Sequence, residues 1–270
     1  MNLKSLQNTP PWDWPEGTGK VLLDIVRNPP TESDLLTATE LAGDLTVIDD
    51  ELAHALLAIL RRGDKAEKVR GLAAISLGAV LEHADIEGFE DADDLPITEG
   101  TFLEIQESLR RLYRDANVPV EVRRRILEAS VRAPQDWHQQ AIRAAYASDD
   151  ERWKLTAVFC MRFVRGFGAE ILEALDSASP DVRYEAVVGA GNWAVDAAWP
   201  RVAALVSSEA GDKPLLLAAI EAVAAIRPHE AAKILDELLD SDDEDVVAAV
   251  HEAMDTVKEP SGEDDDDLLD

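Results

Sequence analysis

From Ser179 to Trp193 the small and apolar residues Val182, Ala186, Gly189, Ala190 and Trp193 recur at helical spacing, which lays one stripe along an α-helix. Ser179 or Asp181 can cap the start of that helix, and Pro180 suits its first turn. Gly189 and Gly191 are poor helix formers. A helix keeps such residues where a neighbour must approach closely.

The same pattern returns along the chain. A Val-Arg pair or its equivalent begins at residues 69, 122, 153, 182, 215 and 246, at intervals of 53, 31, 29, 33 and 31 residues. Six positions after the Arg the residue is Ser76, Ala129, Cys160, Gly189, Ala222 and Ala253 in turn, small each time, as close helix stacking requires. A weaker copy begins near Leu35. The periodicity predicts helices over about 18–27, 32–43, 49–62, 66–83, 101–114, 119–132, 196–208, 212–226, 229–240 and 243–257.

Two copies, VRGLAAISLG and DVRYEAVVGAG, carry a resemblance. The run V-R-x-x-A-x-x-A-L-G preceded by Asp, at about thirty residues per repeat, resembles the HEAT repeat in its short, phycobilisome lyase-type form. The resemblance covers roughly residues 18 to 257 and implies an all-α fold, an α-solenoid (α-α superhelix) of about six to seven HEAT-like helix pairs. It also implies that the Arg of each Val-Arg pair bonds an Asp. Asp64 and Arg70 have the spacing for this, whereas Arg123 and Arg183 lack an Asp at that offset.

The expected organisation has three parts: an N-terminal capping arm over residues 1–17, the solenoid over 18–257 and a disordered acidic tail over 258–270. Trp12 and Trp14 in the arm read as its apolar contacts with the first repeat, or as a recognition element. The 53-residue interval comes from an insertion at about 84–100, whose seven acids face no base. It reads as a solvated loop, and its acids lack the regular spacing of a calcium loop. Leu268 and Leu269 close an equally acidic tail, a solubilising segment or one able to dock on a basic groove. The run Gly17 to Lys20 fails the spacing of a phosphate loop.

Charge changes the picture in two ways. The net charge is −29, with 55 acids against 26 bases of which only 8 are Lys, a balance like that of proteins from high-salt cytoplasm. Such a chain repels phosphate, so nucleic acid is disfavoured as a partner. Residues 110 to 165 nevertheless carry +5, with Arg110, Arg111, Arg114, Arg123, Arg124 and Arg125 as the densest part. The single Cys160 sits on an apolar helix and reads as packing. With no long apolar run and no signal-like N-terminus, the expectation is a cytoplasmic monomer away from membranes.

Helical angles then place one set of residues opposite the buried stripe. In the three central copies these are Arg124, Leu155, Phe159, Arg162, Tyr184 and Val188. Either they line a groove that takes a protein or peptide partner, with an acidic amphipathic segment as the candidate, or neighbouring helices pack sideways and bury them. The expected function is a non-enzymatic scaffold without cofactor or metal. The alternative from the basic centre is a nucleic-acid-binding or DNA-repair protein, in which Trp137, Trp153 and Trp193 would accompany the arginines. Resemblance alone would imply a phycobilin lyase or a di-iron hydroxylase. The two His-Glu pairs, His229-Glu230 and His251-Glu252, stand away from the positions that hydroxylase ligands occupy.

Overall fold

In the computed structural model residues 3–90, 95–207 and 212–258 are described. Helices succeed one another in series, the arrangement of an α-solenoid, and no strand occurs among the described residues. The chain divides into two compact units, residues 1–141 and 142–270.

In the first unit the helices are α1 (Leu3–Gln7), α2 (Thr18–Arg27), α3 (Glu32–Leu41), α4 (Asp50–Arg61), α5 (Glu67–Ser76), α6 (Gly78–Glu87), α7 (Glu99–Arg114) and α8 (Val120–Ser130). Their starts are written in side chains that accept free N–H groups: Thr31 from Asp34 N at 3.1 Å, Asp49 from Leu52 N at 2.9 Å. The pairs α2 with α3, α4 with α5 and α7 with α8 pack together, and second helices stack on second helices through α3, α5 and α8. Leu22, Leu52, Leu56, Leu60, Leu81 and Ile105 lie wholly inside.

The boundary falls within α9 (Trp137–Tyr146). The second unit continues with α10 (Glu151–Cys160), α11 (Gly168–Ala174), α12 (Pro180–Asn192), α13 (Trp199–Val206), α14 (Lys213–Ile226), α15 (Pro228–Leu235) and α16 (Glu244–Lys258). Here α10, α12, α14 and α16 form the stack of second helices. Ser179 caps α12 by accepting from Val182 N, with Pro180 in the first turn. All six small residues of the repeat series, Ser76 to Ala253, are buried.

The two glycines of α12 differ. A Cβ at Gly191 would come within 2.9 Å of Ala222 Cα on α14, so this residue does set a close approach of backbones. A Cβ at Gly189 would meet nothing nearer than Ile171 Cδ1 at 3.5 Å, an ordinary contact.

Several expectations are corrected. The helix foreseen over 66–83 is broken at Leu77, where a tight turn bonds Leu77 N to Ala74 O at 3.1 Å and Gly78 follows. Arg70 does not pair with Asp64. Its Nε donates to Leu60 O at 2.9 Å, and Asp64 pairs with Arg62. Arg183 likewise donates to Ser177 O at 2.7 Å. Two of the three Val-Arg arginines, Arg70 and Arg183, thus reach main-chain carbonyls near the end of the preceding helix, and Arg123 makes no such bond with a described residue. In the N-terminal arm Leu3, Leu6 and Trp14 pack on the first repeats, with Trp14 Nε1 donating to Leu6 O and Thr9 O. Trp12 does not join them and is 78% exposed.

The described parts of the insertion are tied down: Phe89 stacks on Phe102 at 5.3 Å, Ile97 is buried, and Thr98 N donates to Asp50 Oδ1. Burial raises the Asp85 carboxyl above its ordinary range. Residues 91–94 of the insertion and 259–270 of the acidic tail, with Leu268 and Leu269, lie outside the described residues. Among the described residues no helix is long and apolar enough to cross a membrane.

Candidate functional site

Five of the six residues foreseen on the partner strip fall in the second unit, on or next to α10 and α12, which pack together. On α10, Asp150 caps the N-terminus and Thr156, Ala157, Val158 and Cys160 point inward. Leu155 and Phe159 are left half-buried. On α12, Val182, Ala186, Val187 and Ala190 are buried while Tyr184 and Val188 are half-buried. Leu155 and Phe159, one turn apart on α10, and Tyr184 and Val188, one turn apart on α12, are thus half-buried on two helices that pack together.

Arg162 lies in the turn after α10 and is locked. Its Nη1 donates to Glu185 Oε2 at 2.9 Å, and its guanidinium carbon sits 5.4 Å from the Phe159 ring centre and 5.8 Å from that of Phe163. The turn is held from the other side by Trp193 Nε1, which donates to Met161 O at 2.6 Å, and by Asn192 Nδ2 on Arg162 O. The charge of Arg162 is thus matched by a mostly buried carboxylate. The face that results is aromatic and aliphatic in character, with a neutralised ion pair at its edge. It suits apolar side chains better than carboxylates.

Arg124 does not belong to this face. It lies on α8 in the first unit and is 6% exposed, so its expected outward position is wrong. Glu121 and Glu128 hold it at 2.6 Å each, and Arg125 takes the other oxygen of Glu128 at 2.7 Å. The physical reason is sideways packing. Gly71 on α5 and Gly78 on α6 lack side chains where α8 passes, and a Cβ at Gly78 would stand 2.8 Å from Arg132 Cδ. On this side of the first unit Gly71 and Gly78 receive Arg125 and Arg132, Arg124 is buried, and Ile75 stays exposed.

Four other arginines of the basic centre are differently placed. Arg110, Arg111, Arg114 and Arg123 make no ion pair with a described residue, and the Nε atoms of Arg110 and Arg123 are buried without an acceptor. Arg111 and Arg114 are exposed in the last turn of α7, where positive charge favours the helix dipole. Of the tryptophans, Trp137 stacks on Tyr113 and His138, and Trp193 lies under Arg165 at 4.7 Å. Trp153 is half-buried. His229, Glu230, His251 and Glu252 are all exposed, and among the described residues no group of three or more His, Cys, Asp or Glu could hold a metal ion.

Sequence reading missed Glu185, which neutralises Arg162. It stands 23 residues away in sequence and pairs across two helices, so no local spacing could flag it.

A series of short helix pairs whose second helices stack through small residues defines a helical-repeat protein of the α-solenoid class. Residues 168–255 match the family model of HEAT repeats, which identifies that stretch of the chain as HEAT repeats. No curated protein matches. Among solved structures the chain is similar to human deoxyhypusine hydroxylase in complex with glycerol, at 18% identity over 94% of this chain and 88% of that one, with a TM-score of 0.40. It is also similar to an engineered protein, at 16% identity over 90% of this chain and 97% of that one, with a TM-score of 0.35.

Proposed function

We propose that the protein is a non-enzymatic HEAT-repeat scaffold that binds a protein or peptide partner along the α10–α12 face. The observation that carries this is the run of Leu155, Phe159, Tyr184 and Val188, half-buried on two adjacent second helices. A large apolar side chain held partly open by a rigid helix loses little entropy on binding, and aromatics of this kind anchor interfaces. The ion pair of Arg162 with Glu185 stiffens the edge of the face. The partner segment presents apolar residues to it.

The test is site-specific photocrosslinking. A photoreactive phenylalanine at position 184 should join the protein to one defined partner. The same group at Ala169, exposed on the first helix of that pair, should not. Equal capture at both positions, or none at 184, overturns the reading.

A second reading is supported by the arginines of α7 and α8. Four cations left without ion pairs in a chain of −29 offer a local anion site, which a nucleic-acid phosphate could use. It requires measurable binding of a short duplex or single strand at physiological salt that Arg110→Ala with Arg123→Ala abolishes. The self-repulsion of an acidic protein and phosphate places this reading second.

A further inference from the structure

A different apolar recess lies in the first unit, between the N-terminal arm, α3 and α5. Its walls are Leu6, Trp14, Leu41, Leu72 and Ile75, around an open space of about 420 Å³. That lies within the usual size of ligand pockets, about 300–1,000 Å³. The base is rigid. Gly43 presses on Ser76 so closely that a Cβ there would stand 2.3 Å from Ser76 O. The arm is fixed by the two hydrogen bonds of the Trp14 indole.

One exposed apolar residue lines this recess, and two others neighbour its lining residues along the chain. Among the described residues six large hydrophobics are exposed, and one of them, Ile75, is in the wall of this recess. Ile75 lines it, Leu45 follows the lining residue Asp44, and Trp12 sits in the turn that supplies Pro11 and Trp14. Scattered singly, such residues mean little. An exposed apolar side chain in the wall of an apolar recess marks a contact surface.

The charges of the lining identify what fits. Its only ionisable side chains are Glu40 and Asp44. Neither forms an ion pair with a described residue, and Asp44 Oδ1 is engaged only by Thr46. An apolar recess with two uncompensated carboxylates, on a chain of −29, is complementary to one kind of partner. We infer that this recess docks a basic amphipathic segment of another protein. Its apolar residues enter between Leu72, Ile75 and Leu41, and its Lys or Arg side chains reach Glu40 and Asp44. The face of Trp12 receives a further cation or covers the apolar stripe. The net charge steers such a segment in, whereas the chain's own acidic tail is repelled.

This recess is separate from the α10–α12 face, and the experiment keeps the two apart. The probe is a short synthetic helix-forming peptide with leucines on one face and lysines on the other, followed by fluorescence anisotropy at physiological salt. It should bind saturably. Trp12→Ala and Ile75→Asp should each weaken it about tenfold or more, and Glu40→Lys should weaken it in a salt-dependent way. Trp12 is so exposed that its variant keeps the fold, and helical circular dichroism verifies this for all three. Tyr184→Ala should leave this binding unchanged. A Leu/Glu peptide, a Lys/Leu peptide scrambled to remove its apolar face, and a peptide of residues 259–270 should not bind. The inference is overturned if the amphipathic peptide fails to bind or binds Trp12→Ala and Ile75→Asp as tightly as the parent. It is equally overturned if any control peptide binds as well, or if the recess proves to be a self-association surface that Ile75→Asp disperses.

Discussion

His138 should make the protein lose stability between neutral pH and pH 4, and the size of the loss follows from its surroundings. The ring is wholly buried against Trp137, with ring centres 3.9 Å apart. Gln135 N donates to Nδ1 at 2.8 Å, so the proton of the neutral ring sits on Nε2 and is given to Ser130 Oγ at 3.0 Å. Burial disfavours the imidazolium and pulls the pKa from 6.5 down to about 4. Between those two values the unfolded chain binds the proton and the folded one does not, so stability rises with pH there. The contribution is complete above pH 6.5 and is lost as pH falls toward 4. Linkage gives a loss of about 2 kcal/mol at pH 5 and about 3 kcal/mol at pH 4. Carboxylates also change charge in this range, so the quantity to measure is a difference. Urea unfolding of the parent and of His138→Gln from pH 7 to pH 4.5 should show the parent's advantage shrinking by that amount. Where the variant does not fold, the proton resonance of the His138 ring gives the same answer directly. A ring that titrates near 6.5, or a gap between parent and variant that is constant with pH, refutes the reasoning.

Three further outcomes are expected. Gly191→Ala should cost about 1–3 kcal/mol in urea unfolding, because its Cβ meets the backbone of Ala222, whereas Gly189→Ala should be neutral or stabilise by up to about 1 kcal/mol. Arg124→Glu should lose about 3–5 kcal/mol by leaving Glu128 among like charges, seen as a lower melting temperature rather than as a clean binding defect. The melting temperature should rise from millimolar to molar salt as self-repulsion at −29 is screened, and a flat or falling curve counts against adaptation to high salt.

How far the chain could be read ahead of its structure depended on what each residue touches. The small residues from Ser76 to Ala253 are buried as their spacing required, because one helix against the next imposes a period on the sequence. The outward strip was legible only in part. Phe159, Tyr184 and Val188 keep some exposure, but Arg124 does not, since whether a neighbouring helix closes over a face depends on helix separation. Gly71 and Gly78 carried that information. Glycines at positions facing away from the core are places where something else comes close. The recess of the arm was beyond reach, because it joins residues from four segments that share no spacing. Trp12 read as an apolar contact of the arm with the first repeat or as a recognition element, and neither reading pointed to a recess.

Two of the Val-Arg arginines have a consequence for how such a chain can change over time. Arg70 and Arg183 grip main-chain oxygens, of Leu60 and of Ser177. A side-chain partner can be lost by one substitution, whereas a carbonyl is present whatever residue carries it. The joint between the two helices of a repeat therefore asks for one particular side chain where a salt bridge would ask for two. Repeats tied in this manner can drift apart in sequence while keeping the same join, and the acid at the old ladder position is free to serve another neighbour, as Asp64 serves Arg62.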